Sequence, residues 1–527
     1  MTLYTVNLAL DETIPLGTQY FVAEIVPGTA GDRKAGDNVA AATSSNDWAW
    51  KFGTFDGRKG VKLTVDDLAG KPVTFALTGV GSGEVTGGSA FTDITLSGTD
   101  AKSVMTVTPA AKGETTVGNI TVNGSIRSIT APTTSLAGDL QVTGLLAALS
   151  LNDVIGDRTV DLNTGAGAVD PKLSVAITLD MVSDLSIDTG GIPIGALSVT
   201  QWLDSGAVDT ITAPYIKTLS AHGKKGNAKL LIPIPDVRGD FAAALALSGA
   251  GLIGTAATLG TATITGNLAG DHAWTVTGNI GTMTVSGKVG AALHPWALTG
   301  AANVSTMTVG DVADAEVTLT GSAGTIRSVR WLDGFIHAGT IKALSATGVA
   351  ASKTSSGVRG DFWADVALSV SNATALGTLT VGGCLYGDVI SAGPIGTATI
   401  GGMNGNKIWA GVKDGAPELP TAAGNYNVLL SAKGLPVTGI GTLTIKGIAG
   451  ETGDLFIDAQ VASWMMGKVT LLGVRTDNTD AGNAELGIAG HSIAAYTRGT
   501  VKLSKLVGTQ PVQDVEDVDD FCLRLLA

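Results

Sequence analysis

The chain repeats itself, and that constrains its fold more than any other feature. From residue 260 it reads Gly260-Thr-Ala-Thr-Ile-Thr-Gly266, then Gly281-Thr-Met-Thr-Val-Ser-Gly287, Ser305-Thr-Met-Thr-Val-Gly310, Gly324-Thr-Ile-Arg-Ser-Val329 and Gly339-Thr-Ile-Lys-Ala-Leu344. The steps are 21, 24, 19 and 15 residues. Each unit opens on Gly-Thr or Ser-Thr and continues with alternating apolar residues, the period of a strand with one buried face. A second short strand follows in most units, such as Ala273-Trp-Thr-Val276 or Glu316-Val-Thr-Leu319. A longer period overlies the short one. Trp202-Leu-Asp204 recurs as Trp331-Leu-Asp333 at an offset of 129, and Ile216–Ala221 as Ile341–Ala346 at 125. Val237-Arg-Gly-Asp-Phe241 recurs as Val358-Arg-Gly-Asp-Phe362 at 121, and Gly260–Gly266 as Gly377–Gly383 at 117. Order is kept while the offset shrinks, so these are tandem copies, near 200–320 and 330–403, that differ by loop deletions.

A unit of about 20 residues cannot bury a core alone, but stacked units share one interior. The predicted fold is therefore all-β, a parallel β-helix or β-solenoid of about 20-residue coils. Composition agrees. Glycine supplies 73 of 527 residues, only 15% are charged and 5% aromatic, while 44% are apolar. Disordered chains are poor in apolar residues, collagen has glycine at every third position, and coiled coils need charged heptads. Repeat fragments reach outward to Asn119–Ile126, Gly138–Gly144 and Gly441–Gly447. The solenoid is accordingly predicted over 113–450. Residues 1–112 lack the cadence and hold Trp48, Trp50, Phe52, Phe55, Phe75 and Phe91, which predicts an antiparallel β domain or cap. Residues 451–527, with their acidic tail, are predicted to be a C-terminal cap or assembly segment, because an open solenoid leaves strand edges unpaired.

The formal net charge of −13 argues against nucleic acid and anionic membrane as partners. No run of 18 apolar residues exists, so no helical membrane span is predicted. The residues after Met1 show neither a charged nor an apolar leader region, so no signal peptide is predicted in this chain. Cys384 and Cys522 are the only cysteines and make neither a disulfide framework nor a zinc site.

On Asn119-Ile-Thr-Val-Asn-Gly-Ser-Ile126, Gly138-Asp-Leu-Gln-Val-Thr-Gly144, the Trp-Leu-Asp segment before Asp209-Thr-Ile-Thr-Ala-Pro214 and the Gly-Asp-Phe repeats, the run 115–450 resembles the Gly/Thr-rich repeat proteins of planctomycetes. That resemblance implies a secreted or surface β-solenoid module and carries no activity. It places the chain outside the cell or on its surface.

Chemistry is sparse in the sequence. His222, His272, His294, His337 and His491 form no HxH, HExxH or Cys-His pattern and read as loop or coil-edge residues. No catalytic or cofactor-binding residue is assigned. The nearest acidic grouping is Asp204, Asp209, Asp236 and Asp240, three of them without an evident partner base. Calcium is the one cofactor considered, with Asp477, Asp480, Asp514 and Asp517 as candidate ligands, although no calcium-loop signature is present. Asp66-Asp67 is a further acidic pair. The repeated Trp202 and Trp331 read as packing aromatics or as stacking platforms for a sugar. Arg238-Gly-Asp240 and Arg359-Gly-Asp361 recur with the repeat and read as turns with a local Arg–Asp pair. A motif copied with its repeat is architectural; a catalytic site normally occurs once.

These observations lead to the expectation of a non-enzymatic structural protein that self-assembles into a surface layer, filament or tube. Its partners would be copies of itself, other surface proteins or glycans. A carbohydrate-binding or carbohydrate-cleaving β-helix is the first alternative, and a phage or appendage fibre component the second.

Overall fold

The computed structural model describes residues 48–527 apart from 68, 88–91, 111–112, 166–172, 228–234, 353–355, 418, 428–436, 438 and 479–485. The fold is an all-β, mostly parallel solenoid; among the described residues no α-helix occurs. The chain divides into two compact units, Met1–Ala168 and Val169–Ala527.

In the first unit, Trp48–Phe55, Ser82–Gly87 and Thr92–Thr99 pair antiparallel in that order, and Leu63–Asp66, Pro72–Thr78 and Val104–Pro109 form a second antiparallel set. Phe52 and Phe75 pack between them, ring centroids 6.1 Å apart, both buried. Of the other aromatics expected there, Phe91 lies outside the described residues. Thr92–Thr99 and Val104–Pro109 then accept parallel partners, Thr115–Gly124 and Ile126–Ala131. The last antiparallel strands thus serve as the first coil on which the parallel ones stack. Asp67 ends a turn by accepting the Ala69 and Lys71 N–H groups and the Thr115 hydroxyl, which accounts for one of the Asp66-Asp67 pair.

In the second unit each coil has three stretches. One ladder runs through Ile216–Ala221, Ala257–Ile264, Trp274–Val285, Trp296–Val309, Ser322–Ser328 and Thr340–Ala346 and onward to Ser492–Arg498. A second includes Thr210–Ala213, Ala244–Leu247, Gly334–Ala338, Asp365–Leu368 and Val389–Ser391. Between them lies a corner column of single parallel bridges: Trp202, Phe241, Leu268, Val289, Val312, Trp331, Phe362 and Leu385 in succession. Leu259, Ile280, Val304, Ala323 and Ile341 are successive partners, so the coils are 21, 24, 19 and 18 residues long. The last figure corrects the step of 15. Thr340 pairs with Ser322 rather than with Thr325, so the Gly-Thr at 339–340 is out of phase with the motif it echoes.

The Gly-Thr cadence has a specific cause. Ile280, Met283 and Val285 face the interior, so the strand bends at Gly281-Thr282 instead of alternating through it. There the glycine sits against the carbonyl of the coil below: a Cβ on Gly281 would lie 2.3 Å from the Gly260 oxygen, and one on Gly396 2.5 Å from that of Gly377. Neither glycine has positive φ, so close approach between coils selects the residue here, not a left-handed turn. Corner Asp and Asn residues complete the stacking. Asp240 Oδ1 accepts the Asn267 N–H, and Asn267 Oδ1 accepts that of Lys288.

The C-terminal edge is closed by antiparallel strands. Val501–Val507 covers Ser492–Arg498; Phe521–Leu525 lies parallel on Leu486–Gly490, and Gln513–Val518 turns back against it. Lys505 takes φ +55 within the outer strand, and Lys502, Lys505, Asp514 and Asp517 line these edges. Charges and a local irregularity are the usual means of blunting a strand edge.

Candidate functional site

Two side-chain groupings stand out from the coil. The first forms at the corner after Trp202. Asp184 (φ +59) accepts the Ser205 backbone N–H and hydroxyl, Asp204 accepts the Gly206 and Asp209 N–H groups, and Asp209 Oδ2 accepts the Trp202 indole N–H at 2.8 Å. One carboxylate oxygen from each of Asp184, Asp204 and Asp209 lies within 4.8 Å of the others, the one such acidic group of three among the described residues. Burial pushes Asp209 up to about 6 against the Leu185 and Trp202 hydrogen bonds, and the Asp204 and Asp184 charges add to the rise. Asp184 is held below the usual carboxylate range by the Ser205 backbone N–H and hydroxyl. His272 Nε2 is 2.7 Å from Asp204 Oδ2, and its Nδ1 faces the Gly270 carbonyl. Both ring nitrogens therefore face oxygen atoms.

This corner departs in part from the sequence expectation. His272 lies in the loop before Trp274, as expected of a loop or coil-edge residue, yet it is buried and lies against Asp204, whose partner base looked absent. Asp236 finds Lys225 at 2.9 Å and Asp240 the coil above. Asp209 is 2% exposed beneath a fully buried indole, so the grouping works as a brace. It arises from residues 205–208, which the second copy lacks. There Asp333 is followed at once by Gly334, and the Trp331 indole donates to the Asp333 carbonyl at 2.8 Å instead.

Trp202 and Trp331 are both 0% exposed. They offer no ring face to a sugar and pack against Phe241 and Phe362, with centroids at 5.7 and 5.9 Å and tilts of 58° and 54°. Of the calcium candidates, Asp480 lies outside the described residues and Asp477 and Asp517 are exposed. Asp514 accepts from Arg524 and the Cys522 thiol; these hold its carboxyl low although burial opposes them. Among the described residues, Asp477, Asp514 and Asp517 are not gathered into one acidic group. Arg359 pairs with Asp361 at 2.7 Å as expected of a local turn. For Arg238 the pairing is not seen; Asp240 takes the Gln201 amide and the Asn267 N–H.

The second grouping lies on the outside of the second copy. Trp363 is 48% exposed, and Tyr386 from the next coil stacks on it with centroids 4.0 Å apart and an angle of 18°. Arg359 bridges Asp361 and Glu451 and donates to the Tyr386 hydroxyl at 3.4 Å. Burial raises both the Tyr386 phenol and the neighbouring Cys384 thiol. On the adjoining ladder Phe335 stacks on His337 at 4.4 Å, and register places Phe335 beside Asp365 and His337 beside Ala367. His337, Ala367 and Ile390 continue into a cavity of about 630 Å³ walled by Lys413, Asp414 and Asn427. A smaller one, about 350 Å³, lies against Asp188, Thr212, Tyr215 and Ser248. Sequence reasoning passed over Trp363, Tyr386 and Phe335. Comparing the two copies exposes them: at the offsets of the repeat the first copy has Ala242, Ala269 and Thr210.

Compared with family models, with curated proteins and with solved structures, the chain matches none.

Proposed function

We propose that this chain is a non-enzymatic structural protein, a stiff β-solenoid element of a cell surface or extracellular assembly. The continuous parallel pairing of coils in the second unit supports this reading most. From Ile194 to Ser492 each ladder strand hydrogen-bonds to the next, and the corner column fills the interior with Trp, Phe, Leu and Val. Each coil hydrogen-bonds through its backbone ladder to the next, the arrangement by which repeat proteins build extended scaffolds. The resemblance to Gly/Thr-rich surface repeat proteins points to the same setting.

The blunted C-terminal edge restricts how copies join. Antiparallel strands bearing Lys502, Lys505, Asp514 and Asp517 disfavour end-to-end growth by strand addition, so association proceeds through lateral faces. Sedimentation velocity with negative-stain electron microscopy tests this. Concentration-dependent sheets or bundles are expected; monodisperse monomers at every concentration would overturn the reading.

A further inference from the structure

We propose that the exposed Trp363–Tyr386 stack, with the Phe335–His337 pair beside it, binds a neutral polysaccharide through the flat C–H faces of its pyranose rings. Four observations carry this. First, Trp363 lies half in solvent while Trp202, Trp274, Trp296 and Trp331 are fully buried, so this indole contributes little to the core. Second, Tyr386 stacks on the indole at 4.0 Å and 18°, which fixes the ring while nearly half of Trp363 stays in solvent. A large, rigid, amphipathic surface of this kind binds at low entropic cost.

Third, charged groups stand at the stack. Arg359 donates to the Tyr386 hydroxyl and pairs with Asp361 and Glu451, and Asp365 lies beside Phe335 in register. A protein hot spot wants an apolar pocket closed off from water, whereas a sugar wants one flat hydrophobic contact ringed by hydrogen-bonding groups. The Arg359 charge is already matched by Asp361 and Glu451, and Asp365 adds a further negative charge. Uronic or phosphorylated polymers are thereby repelled and neutral hexoses favoured. Fourth, the chain that carries Trp363 leads on toward a cavity. Trp363 is four residues from Ala367, a reach of at most about 14 Å, and Ala367 with His337 opens into the cavity walled by Lys413 and Asp414.

The duplication supplies an internal control. Phe362 and Leu385 keep the inward positions of Phe241 and Leu268, but the residues that follow them change from Ala242, which is buried, and Ala269 to Trp363 and Tyr386. The coil stacks without aromatics at those places, so stacking does not require them. The inference is independent of the scaffold role proposed above.

Affinity electrophoresis in native gels containing hydroxyethylcellulose, a mixed-linkage β-glucan or polygalacturonate tests it. The wild-type chain is expected to be retarded by at least one neutral polymer and not by polygalacturonate. Trp363→Ala should weaken retardation at least tenfold and Trp363→Phe only two- to threefold, with circular dichroism and thermal unfolding unchanged. No retardation of the wild type overturns the proposal, as does equal retardation of Trp363→Ala. Binding to polygalacturonate alone would overturn the assignment to neutral sugars. Self-association that depends on Trp363 without any polysaccharide binding would overturn it in favour of a protein contact.

Discussion

Replacing Asp209 by asparagine should stabilise the corner after Trp202 at neutral pH, contrary to the usual cost of removing a buried charge. Asp209 titrates at about 6 in the fold against 3.8 for a freely solvated aspartate, chiefly because burial penalises the carboxylate. Between these values the folded state holds a proton that the unfolded state has released. Stability therefore falls as pH rises through that window, and above pH 6 the full penalty is in force. A separation of about two pH units between folded and unfolded titration corresponds to about 3 kcal/mol, or roughly a hundredfold in a local opening constant. Asparagine keeps one acceptor oxygen, which can serve the Trp202 indole, and it brings no charge toward Asp184 and Asp204. Hydrogen exchange of peptide 194–213, corrected for intrinsic rates, reads the effect. Asp209→Asn should be protected up to about a hundredfold more than wild type at pH 7.5, and the gap should close toward pH 4. The difference between the two proteins isolates Asp209 from His272 and Asp204. Asp184, whose carboxyl is held low, loses its contribution only below the usual carboxylate range and leaves this window alone. Equal or weaker protection in the variant at pH 7.5, or a gap that widens toward pH 4, would refute the reasoning.

Three further outcomes are expected. Trp274→Ala removes a fully buried ring that meets Phe241 and Trp296 edge-on at 6.1 and 5.5 Å; it should cost about 3–5 kcal/mol, read as lost exchange protection in the flanking coils. Gly334→Ala places a Cβ 2.0 Å from the Ala315 carbonyl at φ +101, so destabilisation of about 2 kcal/mol or more should appear as a lower thermal midpoint. Removing residues 501–527 strips the antiparallel strands from Ser492–Arg498 and Leu486–Gly490. Light scattering should then report aggregation at concentrations where the full chain stays dispersed.

The class of fold was legible in the residues alone. Alternating apolar residues set the strands, the recurrence near 20 residues set the coil, and four matched segments with shrinking offsets set the duplication, because stacked coils must place like residues over like. Register was harder to read. Gly339-Thr340 looks like Gly324-Thr325, yet the carbonyl of the coil below and the inward demands of Ile341 and Leu344 shift the pairing to Ser322↔Thr340. Burial of Trp202 and Trp331 also belonged to the tertiary structure, since Trp-Leu-Asp reads equally well as corner or platform. Asp204 and His272 lie 68 residues apart, and Arg359 and Glu451 lie 92 apart. No local pattern joins such residues; only a coil that returns to the same corner every turn does. The proposed binding surface sits at that second level, because Trp363 and Tyr386 meet only when successive coils bring them face to face.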